Sequence, residues 1–367
     1  MEKTYANLKK KSEKHGSVEF GAELTTETLA KFEKESLVRW GADFVLPGFR
    51  KGKVPAEMVR EHVDAFELFE DASEMALRRA VREIAEDESL KILGRPELSV
   101  EKLAPGNPVA FAVRYALLPE IALPDYRKIG ATIAARKDDG EVTEKELAEA
   151  IDHLRKVLGE ETRDKRQAIS SEDSGVKEGE EGKKGGEPVL AEVTLEFVKK
   201  FGPYETVETF KDDIKKELEH EKAAHNAEAK RDEMLATIMK EAKVNVPEML
   251  VEQELADLVE RRADELEKMG MTLEQYLEKM KKKADELEKE ERAAIEKQIR
   301  LSLVIREIQT KEQLSAEPRE VRAAVAQLKM RYPDRSEASL DETAEALVLQ
   351  GKLFEMLEGK GGEVRSM

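Results

Sequence analysis

The residues with a chemistry to argue about lie in one stretch, Gly41 to Pro55, which reads GADFVLPGFRKGKVP. Arg50, Lys51 and Lys53 surround Phe49, while Gly48 and Gly52 permit positive φ and Pro47 and Pro55 restrict the backbone at either end. Guanidinium and ammonium groups beside an aromatic ring suit phosphates and stacked bases. In a chain of net charge -17 this cationic tip is the part expected to face a polyanion. The competing reading is an ordinary solvated loop, because Gly, Pro and polar residues punctuate turns anyway. A phosphate-cradling P-loop is excluded. It needs four residues between its first glycine and the Gly-Lys pair, then Ser or Thr, whereas three separate Gly48 from Gly52 and Val54 follows Lys53.

No other constellation offers catalysis. His220-Glu221 and His225 look like a zinc-protease motif, but the histidines are five apart, which on a helix separates them by about 140°, so they cannot share a metal. His15, His62 and His153 are isolated, and there is no Gly-x-Ser-x-Gly elbow or dinucleotide fingerprint. With no cysteine there is no disulfide framework, thiolate metal site or cysteine nucleophile. The expectation is a protein with no catalytic residue, no metal and no cofactor, and hence a binding function.

These residues must be positioned by a chain of 367 residues that is 39% charged and only 5% aromatic, a composition suited to long amphipathic helices with solvated faces. Nothing in the first thirty residues resembles the apolar core of a signal peptide, and no apolar run approaches the roughly 18 residues of a membrane span. A cytoplasmic location is expected. Strands are predicted over Thr4 to Lys10 and Ser17 to Leu24, a helix from the Thr25 cap to about Trp40, and a short helix after Pro55. A longer helix follows and is broken by Gly94 and Pro96. Strands then run near Pro96 to Leu103 and Pro108 to Leu117 around the turn Ala104-Pro105-Gly106-Asn107. Residues 119–130 are predicted to be extended, because Pro119 and Pro124 oppose a continuous helix.

Thr143 and Glu146 form a capping-box pattern before the stripe Leu147, Ile151, Leu154 and Leu158, which is expected to dock on later helices. Residues 160–188 carry only Ala168, Ile169 and Val176 as apolar side chains against five glycines, and are expected to be a disordered tether. From Phe210 the pattern is helical almost to the end, with a second capping box at Thr272 and Gln275, and the tail from Gly359 is expected to fray. Methionines on these helices offer a polarizable surface that adapts to many sequences. Met249, Met271, Met280 and Met330, with Tyr276 and Tyr332, are the candidate contacts for unfolded polypeptide. The competing reading is that most of these methionines fill core.

The string GFRKGKVP, between a helix ending near Trp40 and another starting near Pro55, resembles the ribosome-docking signature of the trigger factor family, chaperones at the bacterial peptide exit tunnel. The resemblance extends to residues 1 to about 118 and again from about 191, as in EVTLEFVKKFG, VNVPEMLVEQELADLVERR and MGMTLEQYLEKM. It implies an α+β fold class: a small ribosome-binding domain over 1–118, a linker and docking helix over 119–159, a tether over 160–188, an elongated helical chaperone domain with arms over 189–358, and a tail over 359–367. It further implies docking on ribosomal protein and rRNA through Gly48, Phe49, Arg50, Lys51, Gly52 and Lys53, with nascent or unfolded chains as partners and a weak homodimer as a further state. Family members usually carry a prolyl isomerase of the FK506-binding type where this chain has about thirty polar residues, too few for such a fold. The expected activity is ATP-independent holding of nascent chains without isomerase activity. The alternative is a ribosome-independent holdase or an assembly factor for folded subunits.

Overall fold

A computed structural model describes residues 3–101, 103–138, 140–157 and 192–360. The expected tether over 160–188 and the tail from residue 361 lie outside the described residues. Strand β1 (Ala6–Lys14) hairpins into β2 (Ser17–Leu24) through His15 and Gly16, both at positive φ. The antiparallel sheet is completed by β3 (Ile92–Val100) and β4 (Val109–Leu117) in the order β1-β2-β4-β3. One of its faces is covered by α1 (Thr26–Asp43) and α3 (Ala65–Asp87), with α2 (Ala56–His62) between them in the chain. Alternation along β4 explains the burial of Val109, Phe111, Val113 and Tyr115, which meet Phe32, Phe69, Ala76 and Ile84 of the helices in one apolar core. The Tyr115 hydroxyl, buried in this core, donates to the Val81 carbonyl oxygen at 2.6 Å.

Two expectations need correction here. Gly94 and Pro96 do not end a helix. Instead α3 stops at Asp87, and Gly94, at φ 65, lies inside β3, where the register against β4 shifts between Leu93 and Glu97. The stretch expected to be extended over 119–130 contains α4 (Tyr126–Ala134). Pro124 precedes the cap and so does not oppose the helix, which Asp125 starts by accepting from the Lys128 amide at 3.1 Å.

Beyond α4, among the described residues, every regular element is a helix: α5 over 144–157, α6 (Leu195–Val198), α7 (Val207–Glu241), α8 (Glu248–Lys268), α9 (Leu273–Met280), α10 (Ala284–Lys311), α11 (Pro318–Arg331) and α12 (Glu337–Leu357). The architecture is α+β. The predicted capping box of α5 is present, with the Thr143 amide donating to Glu146 at 2.8 Å. That bond, with the Lys222 ammonium, holds the Glu146 carboxyl below the usual carboxylate range. Leu147 and Ile151 then pack on Ile214 and Leu218 of α7, as the unpartnered stripe required.

The chain forms two compact units, residues 1–124 with 239–317, and residues 125–238 with 318–367. The helices after residue 189 are thus shared between them. In the first unit Ala122 and Lys243 exchange backbone hydrogen bonds, and Met249 and Leu303 pack on Leu93 and Ala116 of the sheet. In the second, the backbone of Leu357 lies so close to α4 that a side chain on Gly130 would meet its carbonyl oxygen at 2.4 Å.

Candidate functional site

The cationic stretch is built on a small apolar base. Leu37, Val54, Val59 and Leu68 are buried together, with Trp40, Phe44, Leu46 and Val63 packed against them, so the ends of the loop are anchored on α1, α2 and α3. Between these anchors the backbone makes two successive turns. The Phe49 amide donates to the Leu46 oxygen at 3.0 Å and the Lys53 amide to the Arg50 oxygen at 2.9 Å. Gly48 (φ 94) and Gly52 (φ 75) take the third position of each turn, where a type II geometry needs positive φ, and Pro47 suits the second position of the first. At Gly52 the chain also passes so close to α1 that a Cβ would meet the Ala42 oxygen at 2.9 Å.

The turns present Phe49, 38% exposed, together with exposed Arg50, Lys51 and Lys53. Lys51 reaches Asp43 at 2.9 Å, an exposed ion pair that holds its cation only loosely. Among the described residues Arg50 and Lys53 have no carboxylate partner. The loop therefore offers two unpaired cations, a third that exchanges readily, and an aromatic face. It has no group placed for acid-base or nucleophilic work, and no group of three or more metal-ligating side chains occurs among the described residues.

A second feature lies between α8, α9 and α10. Gly270, at φ 63, reverses the chain after α8, and the capping box of Thr272 and Gln275 starts α9. Leu255 and Val259 of α8, Leu273 and Leu277 of α9 and Leu287 of α10 line an open groove of about 690 Å³. Arg262 and Glu291 pair in its wall with most of their side-chain surface buried, and Glu291 Oε2 has no hydrogen-bond partner. Val259 and Leu273 are about half exposed, so the groove is apolar surface left open to solvent.

The six polypeptide-contact candidates do not converge. Met271 and Tyr276 are half-buried on or beside α9, and Met280 at its end is exposed. Met330 is 81% exposed and Tyr332 40%, both at the turn between α11 and α12. Met249 needs correction: it is 1% exposed, held by Leu93, Ala116 and Leu303, and belongs to the core. The groove leucines were missed, although the sequence carried a signal. Leu255 with Val259, and Leu273 with Leu277, repeat at i, i+4, and on α8 Met249, Val251 and Leu266 already supply a buried face.

Two family models match this chain, Bacterial trigger factor protein (TF) over residues 6–154 and Bacterial trigger factor protein (TF) C-terminus over residues 206–357. The chain belongs to the trigger factor family. That family comprises ribosome-associated chaperones, and the cationic turns and the open groove fall within the two matched stretches. Similar relatives include a trigger factor of Agathobacter rectalis, 22% identical over 87% of this chain and 86% of the relative. A trigger factor of Streptomyces avermitilis is 27% identical over 85% of this chain and 79% of its own length. A solved structure from work on promiscuous substrate recognition in folding and assembly activities of the trigger factor chaperone covers 97% of this chain and 100% of its own, at TM-score 0.53 and 16% identity. At that identity the likeness concerns the fold.

Proposed function

We propose that this chain docks on ribosomes through Phe49, Arg50, Lys51 and Lys53 and holds emerging polypeptide in the α8–α10 groove, acting in the cytoplasm without nucleotide and without prolyl isomerase activity. The observation that carries the docking half is the pair of glycine-cornered turns, which present an aromatic and two cations lacking carboxylate partners in a chain of net charge -17. A polyanion is the partner such a tip selects, because phosphates supply the counter-charge that no carboxylate of the chain gives Arg50 and Lys53 among the described residues. The holding half rests on the groove, whose leucines and valine offer non-directional contact that accommodates many sequences. Met271, Tyr276 and Met280, on or beside α9, are further candidate contacts in this reading. The reading without isomerase activity is supported by residues 155–205, which separate the two matched stretches and in which 160–188 are almost wholly polar.

Ribosome co-sedimentation tests the docking. Wild type pellets with ribosomes, and the Phe49→Ala, Arg50→Ala, Lys51→Ala variant stays in the supernatant. Three cations on rRNA phosphates predict a log-log salt slope of roughly two to three, so docking weakens a few tens-fold between about 50 and 200 mM salt. Equal pelleting of wild type and variant removes the assignment.

A further inference from the structure

The turn between α11 and α12 gathers positive charge in a chain of net charge -17. Lys329, Arg331 and Arg335 surround Tyr332, and residues 329–335 are all exposed. The backbone holds this turn from both sides. The Tyr332 amide donates to the Leu328 oxygen at 2.8 Å, and the Arg335 amide to the Tyr332 oxygen at 3.3 Å, with Pro333 ending the helix. The guanidinium carbons of Arg331 and Arg335 lie 5.8 and 5.1 Å from the centre of the Tyr332 ring. Among the described residues neither arginine is paired with a carboxylate, even though Asp334 stands between them in sequence.

Helix electrostatics explain part of this arrangement. Lys329 and Arg331 occupy the last turn of α11, where cations are favoured. Arg335 has no such reason, since it immediately precedes Ser336, the cap at the positive end of α12. Two like charges drawn to one ring repel each other, and an anion bound across them relieves that repulsion. A guanidinium lying over an aromatic ring still directs N–H groups outward in the fork that matches phosphate oxygens.

We propose that this turn is an RNA contact separate from the Leu46 to Lys53 turns, with Arg331 and Arg335 taking phosphodiester oxygens and Tyr332 serving as the platform that orients them. Tyr332 then acts on the cations rather than on a client. The site lies in the other compact unit from the Phe49 loop and does not depend on ribosome docking.

The test is fluorescence anisotropy of the full chain with a labelled 20-nucleotide single-stranded RNA of mixed sequence. The Phe49→Ala, Arg50→Ala, Lys51→Ala background removes the first loop. In that background RNA binding persists, and adding Arg331→Ala with Arg335→Ala lowers the log-log salt slope by about 1.4, the contribution of two phosphate contacts on a single strand. Tyr332→Leu leaves the slope unchanged and weakens binding about threefold, as expected when a cation–π platform is lost. An unchanged slope and affinity in the double arginine variant overturns the proposal. So does competition by polyglutamate as effective as by RNA at equal charge, or a loss from Met330→Ala as large as from the arginine pair. Thermal melts of each variant by circular dichroism confirm that the exposed turn was altered without unfolding the helices.

Discussion

Gly48 and Gly52 occupy equivalent positions in successive turns, yet they differ in what surrounds them. A methyl group on Gly48 meets nothing within 4 Å, so Gly48→Ala bears only the strain of φ 94, whereas Gly52→Ala adds a clash with the Ala42 oxygen. A non-glycine residue held at such φ costs on the order of 1–3 kcal/mol, which the loop relieves by opening. Gly52→Ala is therefore expected to reduce ribosome pelleting more than Gly48→Ala, while the urea midpoint of the protein moves little because the sheet core is remote from the turn. Equal pelleting of the two variants contradicts the geometry. The residue types of this loop were readable from the chain, since Pro-Gly and Lys-Gly pairs are turn chemistry. The proximity of Ala42 was not, because it depends on where α1 ends.

At the scale of elements, the α8–α10 groove combines apolar lining with a buried ion pair. Arg262 and Glu291 keep 15% and 17% of their side-chain surface exposed, so removing one partner strands a charge that water cannot easily reach. Arg262→Ala is expected to destabilise the α8–α10 pairing by about 3 kcal/mol, read as a lower urea midpoint. Arg262→Met combined with Glu291→Leu should restore most of that loss, because it removes both charges and keeps the volume. If the double variant is no more stable than the single, the pair is not the source of the effect. The helices themselves were legible from capping boxes and periodicity, as at Thr272 with Gln275. Which apolar face each helix buries was not. Met249 and Leu255 lie on the same helix, and only packing against Leu93 and Ala116 makes one of them core and leaves the other facing a groove.

For the whole molecule, the proposed function assigns two separable tasks to different surfaces. The Phe49, Arg50, Lys51 variant should suppress aggregation of a denatured client as well as wild type while failing to pellet with ribosomes. Leu273→Ser with Leu277→Ser should do the reverse, pelleting normally and losing most of the suppression, as followed by light scattering. A loss of both properties in either variant means the surfaces are not independent. From residues alone the chain disclosed its α+β class and the cationic turns, because turn formers, capping boxes and periodic apolar stripes act locally and leave local marks. It did not disclose that residues 239–317 join the sheet unit, that Gly94 lies at a register shift within β3, or that Arg331 and Arg335 meet over one ring. Those outcomes depend on which apolar faces find each other across long sequence separations, a choice made by packing and not encoded in any short window.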